Sequence, residues 1–405
     1  MLPNVKIDVS LNNLGGVVPL DDGTAGVVGF VPSLTGLTNV QYDKPFAIYS
    51  VKEAEAKGIT KIWSEAQKVT GQPTIDANHL WHDIDMFFKA SGDGSELWVM
   101  LREWAEMEAV YESELFSDKT VLDKLIDASN GRIRILFISY MGDVFTNADY
   151  DEELALSNLM QALAESFALE MKPFIWVVPF RQFEIANKFS SLPGLRALEN
   201  YRVAYVLPQL LSSVSANNQS LAPYISGLLA QLPVQRNLGR YKNGSILYTK
   251  AQLDYGYAGS AGYTISEDAI HDKGFIICRQ YVGKLPVFLS DDPVAAPLSL
   301  DLNSISRVRV IDKAMLVAYN SYIEETNDEV LIKEGKLDTG SAKYLQAKVE
   351  DAINVLMTSN TNISSVRCTI DPTQDIITTG KLNIDLFIVP VGQLKQIHVQ
   401  LGFSK

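Results

Sequence analysis

A chain of 405 residues with 47% hydrophobic and 20% charged residues has a globular composition, long enough for roughly two or three domains. No apolar run approaches the roughly 20 residues that cross a bilayer, and residues 1–6 lack the pattern of a secretory signal, so a soluble protein without membrane insertion is expected. A net charge of −13 argues against a coat on nucleic acid, because phosphate neutralisation needs a basic face.

Near the start, Val5, Ile7, Val9 and Leu11 alternate with polar residues, the period of a strand with one apolar face, until Gly15-Gly16 breaks it. Such a strand pairs either within its own chain or with a neighbouring subunit. The run Asp21-Asp22-Gly23-Thr24-Ala25-Gly26 leads into an apolar strand over 27–31. Its glycines precede and enter the strand and no lysine follows, which argues against a phosphate loop. Residues 46–49 read as a short strand, and Ser50 with Glu53 gives a capping-box start to a helix that Gly58 closes.

Residues 62–69 and 76–89 read as helices. The second carries His79, His82, Asp83 and Asp85, and histidines three apart share a helix face that could hold a metal. The HExxH spacing is absent, and a polar rim beside Trp81, Phe87 and Phe88 is the favoured reading.

After a buried strand over 97–101, helices over 121–126, 154–169 and 183–189 alternate with apolar strands over 133–138, 174–178 and 203–207. This is the signature of a parallel sheet covered on both faces. The turns after two of these strands carry Asp143 and Arg181, but neither is Gly-rich and no GxSxG elbow occurs. No nucleophile, base and orienter come together in the pattern, so no catalytic centre and no cofactor are expected.

Residues 208–262 are richer in Ser, Asn, Gln and Gly, with a helix over 224–232 and an exposed tyrosine-bearing loop over 250–260. Strands follow over 275–278 and 287–289. An amphipathic helix then places Val308, Ile311, Met315, Ala318 and Tyr322 on one side, with Arg309, Lys313 and Asn320 towards the other. A second helix repeats the spacing with Ala342, Leu345, Val349, Ala352, Ile353 and Leu356.

Strands over 363–370 and 382–389 lead to a break at Pro390-Val391-Gly392. A last strand then alternates Ile397, Val399, Leu401 and Phe403 with Gln396, His398, Gln400 and Gly402. Cys278 and Cys368, both inside apolar runs, suit buried thiols in a reducing compartment better than a bridge.

The order of these parts resembles the sheath proteins of contractile phage tails and related injection systems. Pro223-Tyr224-Ile225-Ser226-Gly227-Leu228-Leu229-Ala230 is similar to that family's helix ahead of a loop. Asp272-Lys273-Gly274-Phe275-Ile276 with Arg279 resembles its strand ending in an arginine. Arg307-Val308-Arg309-Val310-Ile311-Asp312-Lys313 resembles the start of its long C-terminal helix. Gly380-Lys381-Leu382-Asn383-Ile384-Asp385-Leu386-Phe387-Ile388-Val389-Pro390-Val391, followed by Ile397-His398-Val399-Gln400-Leu401, resembles its closing strands.

The resemblance implies an N-terminal linker arm over 1–20, an α/β outer region over 21–300, a C-terminal α+β inner domain over 301–393 and a linker strand over 394–405. It implies arm strands at Val5, Ile7, Val9, Leu11, Ile397, Val399 and Leu401 that add to adjacent subunits, with hinges at Gly15, Gly16 and Gly392. The implied partners are further copies in stacked hexameric rings, an inner tube protein, and baseplate and terminator proteins, without direct nucleic acid. The implied setting is a virion tail sheath assembled in the bacterial cytoplasm. Lys333, Lys336, Lys343 and Lys348 are the candidate contacts to an acidic tube. An α/β enzyme of unknown substrate and a noncontractile ring or capsid protein are the alternatives.

Overall fold

The computed structural model describes residues 22–63, 78–103, 114–140, 151–180, 192–210, 219–254 and 267–403. The central element is a six-stranded sheet of β1 (Ala25–Val31), β2 (Phe46–Ile48), β3 (Leu97–Glu103), β4 (Ile135–Ser139), β5 (Ile175–Pro179) and β6 (Val203–Val206) in the order β2-β3-β1-β4-β5-β6. All pairs are parallel except the edge strand β2, which runs antiparallel to β3. Val27 of β1 stands level with Val99 on one side and Phe137 on the other.

The strands are apolar at consecutive positions because both faces are covered. Val27, Val99 and Phe137 point into one core, and their neighbours Val28, Met100 and Leu136 into a second. Helices α2 (His79–Ser91) and α5 (Ala222–Gln231) close the first face, while α3 (Lys119–Ala128) and α4 (Asp151–Leu169) close the second. Between α2 and α5 the backbones touch at Gly227, where an added Cβ would stand 2.3 Å from the Phe87 carbonyl oxygen.

Local signals fix several ends. Ser50 caps α1 (Val51–Ala56) by accepting from the Glu53 amide, and Gly58 follows with φ +87°. Asn78 caps α2 by accepting from the Trp81 amide. The helix expected over 62–69 is not present at Ile62 and Trp63, and its remainder lies outside the described residues, as does the one expected over 183–189. The strand expected over 275–278 begins three residues later, as β9 (Cys278–Gln280), antiparallel to β10 (Val287–Leu289). Ile276 instead bridges Val206, extending the large sheet. Between the two regions lie the short pair β7 (Gln209–Leu210) and β8 (Leu253–Asp254) and the short helix α6 (Glu267–Asp272).

A third core gathers α7 (Ile305–Tyr322), the hairpin β11 (Ile332–Lys333) and β12 (Lys336–Leu337), α8 (Thr339–Ile353), β13 (Ile363–Thr369) and β14 (Asp385–Pro390). Asp338 starts α8 by accepting from the Gly340 and Ser341 amides. β13 and β14 make an antiparallel ribbon whose inner residues Val366, Cys368, Leu386 and Ile388 face this core. The whole is a mixed α/β fold: a largely parallel sheet with helices on both faces, followed by an α+β region.

Helix α7 departs from the one-sided pattern expected of it. Ile305 and Val308 belong to the first core, whereas Val310, Ala314 and Val317 belong to the third. A helix wedged between two cores is buried on several sides, so Arg309 is 4% exposed and Asp312 5%, while Ile311 is 41% exposed. Cys278 and Cys368 are both buried and unbridged.

Candidate functional site

In an open parallel sheet, ligands usually lodge beyond the carboxyl ends of the strands. Here the ends of β3, β4 and β5 lead into residues 104–113, 141–150 and 181–191, so Asp143 and Arg181 lie outside the described residues. No group of three potential metal ligands occurs among the described residues. His79 is buried against the Trp63 ring at 5.7 Å, and His82 sits edge-on to Trp81 at 5.0 Å. Burial lowers the His82 pKa from its usual value, despite the opposing charge of Asp85. These histidines join an aromatic seam.

The C-terminal segment has a different character. Residues 391–403 form no strand in the described structure, in contrast to the expected last strand. A strand exists only when another edge accepts its amides and carbonyls, and none does among the described residues. Ile397 (76%), Val399 (72%), Leu401 (94%) and Phe403 (110%) are exposed together. Val5, Ile7, Val9, Leu11, Gly15 and Gly16 lie outside the described residues.

Nearby, the β13–β14 ribbon pairs with no further strand among the described residues, and on its β13 edge the Cys368 amide donates to the Glu350 carboxylate. Its outer face carries Phe387 and Val389, each about half exposed, with the Arg367 guanidinium 4.9 Å from the Phe387 ring centre. Two strands alone are marginal in water, and the packing of α8 against β13 supports this pair from one side only.

Sequence reasoning missed a polar cluster at the root of this segment. Gln393 donates to Ser306 Oγ at 3.1 Å and accepts from the Asn237 amide at 3.2 Å. Two residues on, Lys395 Nζ reaches Asp291 Oδ2 at 2.6 Å. Asn237 also contacts the carboxylates of Asp291 and Asp292, and His271 Nε2 lies 3.2 Å from Asp291.

Asp292 accepts from the Ser306 amide at 2.9 Å, placing a carboxylate at the positive end of α7. Burial, and then the charge of Asp291, push the Asp292 carboxyl up to about 7. Burial also pushes Asp291 upward, but His271, Lys395 and Asn237 outweigh it and hold that carboxyl well below the usual range.

Asp22, the first described residue, is fastened to the same helix. Lys313 Nζ meets Asp22 Oδ2 at 2.5 Å, and Arg309 donates to the Asp22 carbonyl at 2.9 Å. These side chains were expected towards solvent. The structure turns them inward because Asp22 lies against this face of α7. Burial lowers the Arg309 pKa to about 10, against the pull of Asp22, Asp292 and Asp312. Arg202, just ahead of β6, makes a bidentate pair with Asp312 at 2.7 and 2.9 Å.

Among the proposed tube contacts, Lys333, Lys336 and Lys343 are exposed. Lys348 is half-buried and paired with Glu325, and its ammonium also lies 3.6 Å from Glu324. Its charge is therefore compensated within the chain. Gly392 has open space where a Cβ would be and no positive φ, so its conformation alone does not mark a hinge.

The family described as DUF2586, N-terminal domain, matches residues 2–293, and that described as DUF2586, C-terminal domain, matches residues 301–405. No curated protein matches the chain. Among solved structures, a chain of the sheath complex of an extracellular contractile injection system, PVC, in its contracted state is 12% identical. It aligns with a TM-score of 0.62 over 99% of this chain and 97% of that one. A chain of the anti-feeding prophage (AFP) baseplate, 6-fold symmetrised, is 13% identical with a TM-score of 0.59, covering 100% of this chain and 99% of that one. A chain of the AFP baseplate in its contracted state gives 13% and 0.56, over 99% and 98%. At these identities the likeness is one of fold, and it runs through both halves of the chain.

Proposed function

We propose that this chain, which belongs to the DUF2586 family, is a structural subunit of a contractile tail sheath. In this reading, copies stack as hexameric rings around an inner tube, and their contraction drives the tube through a target envelope. The observation that carries it is the pairing of needs within one chain: among the described residues, an exposed apolar alternation from Ile397 to Phe403 has no strand partner, and the β13–β14 ribbon has no third strand. The fold shared with a chain of a sheath complex supports the same reading.

A sheath must shorten without falling apart, and sliding bodies break packed side-chain contacts. Arms that add strands to neighbouring ribbons keep copies joined through main-chain hydrogen bonds, each worth about 1 kcal/mol net. Burying each large apolar side chain of the arm adds about 1.5–3 kcal/mol. The arm strands are Val5, Ile7, Val9 and Leu11 on one side and Ile397, Val399 and Leu401 on the other. Lys333, Lys336 and Lys343 are positioned on the C-terminal region as contacts for an acidic tube, while baseplate and terminator proteins would close the stack. Assembly would take place in the bacterial host before release. Contraction needs no nucleotide if body-to-body contacts improve as the rings turn.

Electron microscopy of the purified protein, with and without tube protein, tests this. Striated hollow cylinders support the proposal. Closed single rings would favour a baseplate component, the reading suggested by the two baseplate structures, and dispersed particles under all conditions would overturn both.

A further inference from the structure

Ser306, Arg309 and Lys313 lie at i, i+3 and i+7 of α7, one stripe of a single helix. Ser306 holds Gln393 at the C-terminal root, while Arg309 and Lys313 hold Asp22 at the N-terminal root. Seven residues of helix span about 10 Å. Asp22 and Gln393, far apart in sequence, are therefore held within about two turns of each other on one helix.

The C-terminal root is held by more than a surface contact. Asp291 and Asp292 are adjacent carboxylates, 6% and 1% exposed, and two buried like charges need compensation. Lys395 is the ammonium in direct contact with Asp291, and the Asn237 amide contacts both carboxylates and Gln393. Docking Lys395 therefore gives the buried Asp291 a direct cationic partner, beside the longer-range attraction of Arg196 and Arg309 for the two carboxylates. A lysine paired with an exposed carboxylate would contribute little.

We infer that the first half of α7, with Asp291 and Asn237, is a clamp that fixes where the C-terminal arm leaves the body beside Asp22, so that the free part of that arm begins after Lys395 rather than at Gly392. This rests on the reading of the two segments as inter-subunit arms. The clamp shortens the compliant linker by three residues and ties the C-terminal arm and Asp22 to one stiff element. Tension from a neighbour on the C-terminal arm then reaches Asp22 through α7, without stretching the three cores in series.

The test uses nitroxide labels on the full chain as a dilute monomer. Leu394→Cys is suitable because Leu394 is 87% exposed and the native thiols, at 2% and 5% exposure, are shielded from labelling. Gln400→Cys reports the free arm. The expected spectrum is immobile at position 394 and mobile at position 400, and Lys395→Ala or Asp291→Asn should raise the mobile fraction at 394 several-fold while leaving 400 unchanged. Lys395 is half exposed, so its variant should fold even if the Asp291 change does not.

A label at 394 as mobile as that at 400 in the unmodified background would overturn the clamp, as would a spectrum unmoved by Lys395→Ala. The readout needs no assembly. An intact clamp in a chain that never forms cylinders would sink the sheath proposal alone, and cylinders built by a chain with a loose root would sink the clamp alone.

Discussion

Arg202 and Asp312 face each other across 110 residues of sequence, joined by two hydrogen bonds of 2.7 and 2.9 Å, with side chains 6% and 7% exposed. The pair ties the sheet to α7, the helix that also carries both chain roots. Breaking a buried pair leaves one desolvated charge, so Arg202→Ala or Asp312→Ala should each cost about 3–5 kcal/mol in chemical unfolding. The double variant Arg202→Met with Asp312→Leu should recover most of that loss. Full additivity of the single losses would show that the two residues act independently.

Deleting residues 1–11, or residues 396–405, should leave a folded monomer that forms no cylinders. The exposed C-terminal side chains make no core contact, so its removal should move the melting temperature by less than about 2 °C. Thermal melts and electron microscopy on the same preparations check both halves. A truncated chain that melts early, or one that still builds full cylinders, contradicts the arm model.

Stability should fall as pH rises through neutrality, and Asp292 should be the cause. Its folded-state carboxyl, raised to about 7, binds a proton more tightly than the usual carboxyl near 3.8. That stabilisation is fully present below the usual value and is lost as pH climbs through about 7. Asp291 runs the opposite way, its contribution persisting at neutral pH and fading only in strong acid. Between about pH 5.5 and 8 the wild type should lose on the order of 1–2 kcal/mol more than Asp292→Asn. Parallel pH profiles for the two proteins would remove Asp292 as the cause.

Gly227→Ala should destabilise the chain by about 1–3 kcal/mol, because the added methyl meets the Phe87 carbonyl and the Ala90 methyl, and helices α2 and α5 must part to admit it. Gly194→Ala, where a Cβ meets nothing within 4 Å, is the control. Equal melting temperatures for both variants would contradict the close helix contact.

Reversing charge at Lys333, Lys336 and Lys343 together should weaken assembly on an acidic tube, most strongly at low salt where attraction is least screened. Lys348→Glu is expected to act differently, by opposing Glu325 within the same chain. Sedimentation with tube protein across ionic strengths checks this, and no change at any salt concentration would remove these lysines from the tube contact.

The parallel sheet was legible because burial on both faces leaves a local mark. Runs such as residues 135–139, apolar at nearly every position and set between amphipathic helices, need no distant partner to be recognised. The caps at Ser50 and Asn78 act within three residues, and Ser50 could be read directly. The alternation Ile397, Val399, Leu401, Phe403 likewise showed a strand-forming face, and only the structure left it without an edge among the described residues.

What tertiary structure alone decided are the roots. Periodicity assigns a helix one buried face, and by that rule Arg309 and Lys313 belonged in water. Yet α7 is gripped by two cores, and its charged residues are met by Asp22, 287 and 291 residues away, and by Arg202. Asp291 with Lys395 is separated by 104 residues. Such pairs have no local period, because charge compensation in a folded interior depends on which segments the cores bring together, and spacing along the chain does not encode it.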